Sequence, residues 1–154
     1  CNMAAAKGYK MFFLGAAEGV AKRAAENLTM KYKGLQVVGT YSPPFGFENN
    51  KNEMDKIKIM IKASKPDILI VGLGCPKQEK FMYHHCKELG VPISFGLGAS
   101  FDFEAGNIKR APRWMANHGL EWLFRITQDP KRMAKRYLVD DRKILGLAIK
   151  YRKK

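Results

Sequence analysis

Short apolar runs alternate, over the first two thirds of the chain, with segments in which apolar residues recur every three or four positions. The apolar runs are typical of buried strands, and the longer spacing is typical of helices that lie on a sheet. The predicted strands are residues 10–15, 35–40, 68–71 and 91–95, and the predicted helices between them are 16–32, 52–64 and 78–89. Strands that alternate with helices indicate an α/β fold, with a parallel, right-handed, doubly wound sheet and helices on both faces.

The most informative apolar run is residues 68–71, which Gly72, Gly74 and Pro76 follow. A run without alternation indicates a strand that is buried on both faces of a parallel sheet. The glycines allow a tight turn in which the backbone can approach a ligand, and Pro76 suits the first turn of a helix. The free N–H groups at that helix start favour an anion such as a phosphate. A purely structural turn also fits, since the pattern is neither a Walker A loop nor a dinucleotide fingerprint.

The loops that follow three of the predicted strands are expected to meet, because ligands of such sheets bind beyond the carboxyl ends of the strands. These loops are residues 41–47, 72–79 and 96–106. Two of them carry a polar group able to bind a sugar or nucleotide, Gln78 and Asp102. The first loop is rich in proline and aromatic residues, and it fits either a lid over a ligand or a packed crossover.

Positive charge is concentrated towards the end of the chain. The net charge is +14, and residues 105–154 contain fourteen Lys or Arg against four Asp or Glu. The sequence therefore predicts an α/β core, residues 1–106, and a basic helical appendage, residues 107–154. A basic segment implies an anionic partner, which could be lipid headgroups, a diphosphate substrate or nucleic acid. Residues 142–154 have the pattern of an interfacial membrane helix, although a helix packed on its own domain also fits.

The cysteine and histidine residues do not form a metal-binding pattern. Cys1, Cys75 and Cys86 give an odd count without paired spacing, which indicates a reducing compartment and argues against a disulfide framework or a zinc site. His84 and His85 directly precede Cys86, so a helix would point the three side chains to different faces. The chain has neither a signal-peptide pattern nor an apolar run of about 20 residues, and its first residues resemble the end of a helix. We expect it to continue a longer protein.

Several sequence blocks are long and unusual enough to indicate a family. They are residues 12–20 (FFLGAAEGV), 39–47 (GTYSPPFGF), 71–79 (VGLGCPKQE), 95–103 (FGLGASFDF), 110–115 (RAPRWM), 119–125 (GLEWLFR) and 130–132 (PKR). In these blocks, and in this order along nearly its whole length, the chain resembles the WecG/TagA/CpsF glycosyltransferases. The resemblance implies a Rossmann-like sheet with a basic C-terminal appendage, in agreement with the pattern of apolar residues.

The resemblance also implies an activity. Such an enzyme would transfer N-acetylmannosamine or its uronic acid, with inversion, from a UDP-sugar to polyprenyl-diphosphate-linked N-acetylglucosamine, in teichoic acid, enterobacterial common antigen or capsule assembly. It would act in the bacterial cytoplasm as a peripheral protein on the inner face of the cell membrane, with an anionic membrane surface as a partner. No cofactor and no metal ion is expected.

The family motifs imply catalytic roles for Gln78, in the block that lines the active-site pocket, and for Arg125 and Arg132 in the appendage. The arginines would neutralise charge on the leaving UDP, which suits forked, permanently charged groups, although a packing or surface role is the alternative. The other predicted substrate-binding residues lie in the strand-end loops: Gly15, Tyr41, Gly72, Gly74, Pro76, Lys77, Glu79, Gly98 and Asp102.

The presumed general base of the family lies in an Asp-Gly block of an N-terminal part that this sequence does not contain. Asp102 and Glu79 are the nearest carboxylates by loop position, although Glu79 also fits a charge that satisfies the dipole of a helix start. We therefore expect that the chain by itself keeps part of the donor site and transfers sugar poorly.

Two other function classes compete with the transferase hypothesis. A basic α/β module for nucleic acid would show a steep salt dependence of affinity and no response to UDP. Against it, Trp114, Trp122 and Phe124 fall at apolar helix positions and are predicted to pack rather than to stack on bases. A sensor or reductase lacks support because no dinucleotide fingerprint is present. Self-association is also expected to be possible, through an open sheet edge.

Overall fold

The computed structural model describes residues 1–128 and 130. The helices are α1 (Asn2–Lys7), α2 (Val20–Lys31), α3 (Lys51–Ser64), α4 (Lys77–Leu89), α5 (Gly98–Glu104), α6 (Arg113–Asn117) and α7 (Glu121–Gln128), the strands are β1 (Lys10–Gly15), β2 (Gln36–Tyr41), β3 (Ile68–Gly72) and β4 (Ile93–Gly96), and a 3₁₀ turn spans Phe47–Asn49. The chain separates into two compact units, Cys1–Ile108 and a second unit that starts at Lys109.

The four strands form one parallel sheet in the order β2-β1-β3-β4. In the central pair, Met11 lies opposite Ile68 and Gly15 lies opposite Gly72, so β1 and β3 end at the same level. Helices surround the sheet, which confirms the predicted α/β fold. The parallel arrangement places every strand-end loop along one edge of the sheet.

Successive side chains of β1 point to opposite faces of the sheet and enter different hydrophobic clusters. Phe13 belongs to a buried cluster with residues of α1, α2 and α5. Phe12 and Leu14 belong to a second cluster with residues of α3 and α4. This period of two, together with burial on both sides, explains why the strand lacks the polar alternation of a half-exposed strand.

The segment 96–106, which was predicted to be a loop, contains helix α5, and that prediction is wrong. Its apolar residues Leu97, Phe101 and Ala105 do recur every four positions, but the segment is short and two glycines, which disfavour a helix, lie at its start. Tertiary packing supplies the stabilisation, because Phe101 is buried against Phe13, with their ring centroids 5.2 Å apart. Strand β4 begins two residues later than predicted, after Pro92, which has no backbone N–H for a sheet.

A cluster of charges joins α3 to α4 and so helps to fix the helix that carries Lys77 to Glu79. The carboxylate of Glu88 lies 2.9 Å from Lys58 Nζ, 3.8 Å from Lys62 Nζ and 3.8 Å from His85 Nδ1. The hydrogen bond from Lys58 and the neighbouring positive charges hold the pKa of Glu88 below its usual value. Burial and the charge of Lys58 lower the pKa of His85, which favours the neutral imidazole.

We expect Glu88→Gln to reduce the loss of folding stability in acid. A carboxyl group whose pKa is lowered by folding stabilises the protein above its ordinary pKa of 4.5 and loses that contribution as the pH falls. Urea unfolding measured between pH 7 and pH 3 should therefore show a shallower decline in the variant below about pH 4.5. Parallel profiles for the two proteins would show that Glu88 does not act in this way. Glu26→Gln, an exposed glutamate on α2, provides the control.

In the second unit, the backbone N–H of Lys109 donates to Gln128 Oε1 at 3.0 Å, and Gln128 Nε2 donates to the Lys109 carbonyl at 2.9 Å. The predicted helix 142–154, its predicted membrane contact and Arg132 lie outside the described residues. No helix within the described part of the chain is both long and apolar enough to cross a membrane.

Candidate active site at the strand ends

The strand order identifies one position along the sheet edge as the candidate site. From β1 the chain passes to β2 on one side and then returns across β1 to β3 on the other side. The carboxyl ends of β1 and β3 therefore flank a topological switch point, which is the usual ligand crevice of an open α/β sheet. The loops predicted to converge do so around this position, as the contacts below show.

Gly15 permits the close approach of the turns that follow β1 and β3. The N–H of Ala16 donates to the Gly72 carbonyl at 2.8 Å. A Cβ on Gly15 would lie 2.5 Å from the Gly72 carbonyl carbon, and φ at Gly15 is +115°. A side chain is therefore excluded both by the neighbouring backbone and by the conformation of this residue.

Gly72 and Gly74, which the sequence treats alike, differ in the structure. A Cβ on Gly72 would lie 2.5 Å from Cε2 of Phe101, so protein already fills the space beside this glycine. At Gly74, φ is +79° and no atom lies within 4 Å of the position of a Cβ. The sequence predicted that a ligand could approach both glycines. Space for a ligand is present beside Gly74, whereas the Phe101 ring fills the space beside Gly72.

The side chain of Gln78 packs against the turn that joins β4 to α5. Its Oε1 lies 3.3 Å from the position of a Cβ on Gly98, and its Nε2 lies 2.9 Å from the corresponding position on Gly96. Nε2 donates to Glu79 Oε1 at 2.8 Å, but Oε1 is buried without a hydrogen-bond partner, the one such side-chain atom in residues 1–128 and 130. A buried acceptor without a donor costs about 1–3 kcal/mol, which a ligand hydroxyl or N–H group could recover.

Glu79 lies in the first turn of α4 and is exposed. The hydrogen bond from Gln78, followed by one from its own backbone N–H, holds the pKa of Glu79 below its usual value, and Cys75 contributes in the same direction. A lowered pKa makes a carboxylate a weaker base, so this geometry favours the helix-start role over the role of general base.

Lys77 connects the start of α4 to the segment that follows β2. Its ammonium group forms an ion pair with Glu48 and lies 4.6 Å from the centroid of the Phe45 ring. The hydrogen bond from Lys77 lowers the pKa of Glu48. The loops 41–47 and 72–79 therefore meet, as the sequence predicted.

A second set of contacts attaches the same segment to the β1 turn. The hydroxyl of Ser42 donates to the carbonyl oxygens of Gly15 at 3.1 Å and Ala17 at 3.2 Å. The third loop joins through the Leu97 N–H, which donates to the Val71 carbonyl at 2.9 Å. Four strand ends are thus held together at one edge.

Tyr41 ends β2 and is bound to α3. Its hydroxyl donates to Glu53 and accepts from Lys56 Nζ at 2.7 Å, and the same ammonium group lies 4.6 Å from the centroid of the tyrosine ring. The hydrogen bond to Tyr41 raises the pKa of Lys56. Tyr41 is therefore held in place beside the candidate site, and its hydroxyl is already hydrogen-bonded to Glu53 and Lys56.

Asp102 lies on α5, where its Oδ1 accepts from Asn107 Nδ2 at 3.3 Å. The N–H groups of Asn107 and Ile108 donate to the backbone carbonyl of Asp102 at 2.9 and 3.3 Å. This residue is therefore tied to the turn after the helix. Pro76 immediately precedes α4, one residue before the first helical turn in which the sequence placed it.

The remaining predicted residues are less fully described. Arg125 lies on α7 in the second unit, but its side chain is outside the described part, as is the whole of Arg132. The described residues include no group of three His, Cys, Asp or Glu side chains arranged to hold a metal ion.

Sequence reasoning missed Ser42, Phe45, Glu48, Glu53 and Lys56 as contacts of the predicted site residues. The richness of loop 41–47 in proline and aromatic residues pointed to the right segment. No local pattern identifies their partners, because Lys77 and Gly15 are distant in sequence from the first three, and Tyr41 is 12 and 15 residues from Glu53 and Lys56.

Comparison with known proteins adds an independent line of evidence. The chain is similar to N-acetylglucosaminyldiphosphoundecaprenol N-acetyl-beta-D-mannosaminyltransferases: 35% identical over 126 residues to that of Bacillus subtilis (strain 168) and 31% identical over 126 residues to that of Staphylococcus aureus (strain MW2). Each alignment covers 82% of this chain and 47% of the relative, so the chain spans about half the length of these curated relatives. The model of the glycosyl transferase WecG/TagA/CpsF family matches residues 1–154. The chain belongs to the WecG/TagA/CpsF family of glycosyl transferases.

Proposed function

We propose that this protein takes part in the transfer of N-acetylmannosamine, or its uronic acid, from a UDP-sugar to polyprenyl-diphosphate-linked N-acetylglucosamine. The transfer inverts the anomeric centre and belongs to teichoic acid or related surface polysaccharide synthesis. Family membership and the names of the relatives support the reaction class. The reaction proceeds without a cofactor or a metal ion, at the inner face of the bacterial cell membrane.

The observation that carries this proposal is the unpartnered buried oxygen of Gln78 at the mouth of the candidate site. A UDP-sugar carries hydroxyl and amide N–H groups that can donate to such an acceptor. A site built to accept a hydrogen bond from a specific ligand group discriminates strongly against ligands that lack that group, because they leave the buried acceptor unpaired. Gln78 thus selects and orients the sugar donor, and the roles that the family motifs imply for Arg125 and Arg132 stay predictions.

Two exposed tryptophans in the second unit support a membrane-facing role for the basic appendage. Trp114 is 61% exposed, so the prediction that its ring is packed is wrong, and Trp122 is 48% exposed. Tryptophan is enriched at membrane–water interfaces, and basic residues such as Arg113 attract anionic headgroups. The same exposure would suit base stacking, so a nucleic-acid-binding module is kept as the second candidate.

Calorimetric titration of UDP and of UDP-N-acetylmannosamine into the chain tests the donor site. We expect saturable binding that is the same with magnesium and with EDTA, and that Gln78→Ala weakens at least about ten-fold through loss of one buried hydrogen bond. Gln36→Ala provides the matched control, because Gln36 is an exposed glutamine at the opposite end of the sheet.

Two results would contradict the proposal. Equal affinities of UDP-N-acetylmannosamine for the Gln78→Ala variant and the unaltered chain would remove Gln78 from the donor site. Tight, steeply salt-dependent binding of a single-stranded oligonucleotide, without UDP binding, would favour the nucleic-acid module.

A further inference from the structure

Lys77 stands next to Gln78 at the start of α4, yet its ammonium group already has an anionic partner. It contacts the carboxylate of Glu48 and the face of the Phe45 ring. Both partners belong to the segment between β2 and α3, which we name the β2 segment (residues 42–50). One side chain at the mouth of the site therefore holds a segment that follows a different strand.

Another anion can replace Glu48 as the ion-pair partner of Lys77. The side chains of Lys77 and Glu48 are 41% and 39% exposed, and an ion pair at this exposure contributes little net stability. Phe45 is fully exposed, so its ring is not held by burial. The rest of the segment is anchored more firmly, because Phe47 is buried in the core and Ser42 bonds to the β1 turn.

The surroundings of Lys77 favour the arrival of an anion. The open space beside Gly74 lies three residues before it, on the same turn. At the start of the thirteen-residue helix α4, the Gln78 N–H donates to the Gly74 carbonyl at 2.9 Å and the Glu79 N–H bonds to its own carboxylate, so the attraction for an anion at this turn comes from the ammonium group of Lys77. A diphosphate at this edge would therefore compete with Glu48 for the same ammonium group.

We propose that Lys77 is a positioning residue with two alternative partners: Glu48 in the free protein, and the diphosphate group of the nucleotide donor in the complex. Donor binding then releases the β2 segment from α4. The inference rests on the proposed function, since it takes the donor to be a nucleoside diphosphate sugar.

Hydrogen exchange of the β2 segment tests the tie in the free protein. The N–H groups of Phe47, Asn49 and Asn50 bond to carbonyls within the segment, at 3.2, 3.0 and 3.0 Å, and report its opening. Glu48→Gln and Lys77→Met are each expected to speed exchange of these amides about two- to five-fold, the range for an exposed ion pair. The Ala16 amide should not change in either variant. Unaltered exchange in both variants would overturn the proposed tie.

The affinity for UDP tests the competition. Glu48→Gln is expected to tighten UDP binding about two- to five-fold, because it removes the competing carboxylate. Lys77→Met is expected to weaken UDP binding at least about ten-fold, through loss of a charge-assisted contact. In the Lys77→Met background, Glu48→Gln should have no effect, since the two residues act on one interaction. Glu26→Gln, which removes the same charge from α2, should leave the affinity within about two-fold of the unaltered chain.

The outcomes separate this inference from the proposed function. UDP binding that Glu48→Gln leaves unchanged or weakens would overturn the competition and leave the donor site in place. Failure of every variant to bind UDP would overturn both the competition and the proposed donor site. Tighter binding in Glu48→Gln that disappears in the Lys77→Met background would support the inference.

Discussion

Replacing Gly15 with alanine is expected to lower the free energy of unfolding by about 3 kcal/mol, the sum of two penalties. The first arises because φ at this residue is +115°, which residues with a Cβ rarely adopt. The second arises because the new methyl group would overlap the backbone of Gly72, which cannot move without breaking the register of β1 and β3. Urea unfolding followed by circular dichroism measures the loss.

Gly19→Ala is the matched control for this prediction. Gly19 lies in the same turn and also has a positive φ of 75°, but no atom lies within 4 Å of the position of its Cβ. The control should therefore lose about 1 kcal/mol, from conformation alone. Equal losses in the two variants would show that the close approach of the two turns is not what requires Gly15.

Replacing Phe101 with alanine is expected to cost about 3–5 kcal/mol of unfolding free energy, as for other large aromatic residues removed from a core. The ring is 3% exposed, packs on Phe13 and fills the space beside Gly72. Its loss leaves a cavity between α5 and the carboxyl end of β3, which is the edge that forms the candidate site. Chemical unfolding measures the cost, and UDP titration of the folded variant would report damage to the site.

Phe45→Ala makes the same chemical change at a fully exposed ring. Its effect on the free energy of unfolding should be within about 0.5 kcal/mol, because no core packing is lost. A Phe101 variant that unfolds as easily as the Phe45 variant would contradict the role given to α5 in holding the strand ends.

Much of the fold follows from local pattern, whereas α5 does not. The apolar run before Gly72 indicates a strand that is buried on both faces of a sheet, whichever helices cover the sheet. The position of β3 could therefore be predicted from sequence. Helix α5 depends on contacts with residues distant in sequence, namely the packing of Phe101 on Phe13 and the hydrogen bond from Asn27 Nδ2 to the Glu104 carbonyl, and no local pattern records such contacts. The exposure of Trp114 was missed for the same reason, since an apolar residue at a helix position shows only that burial is favourable and not whether another element covers the side chain.

For the candidate site, the sequence identified the segments and the family block that contains Gln78. It could not show that the oxygen of Gln78 is buried without a partner, because that depends on the approach of the β4 turn. Nor could it show that Lys77 is held by Glu48, because the two residues are brought together by the crossover from β2 to β3.

The sequence by itself determined the α/β class, the strand that organises the sheet, and the family to which the chain belongs. These features depend on local spacing and on residue blocks that are contiguous along the chain. The tertiary structure decided which glycine has a ring beside it, which carboxylate holds Lys77, and which buried oxygen is free to accept a bond from a ligand. Such properties arise between residues far apart in sequence, so they exist only once the strands have paired and the helices have packed on the sheet.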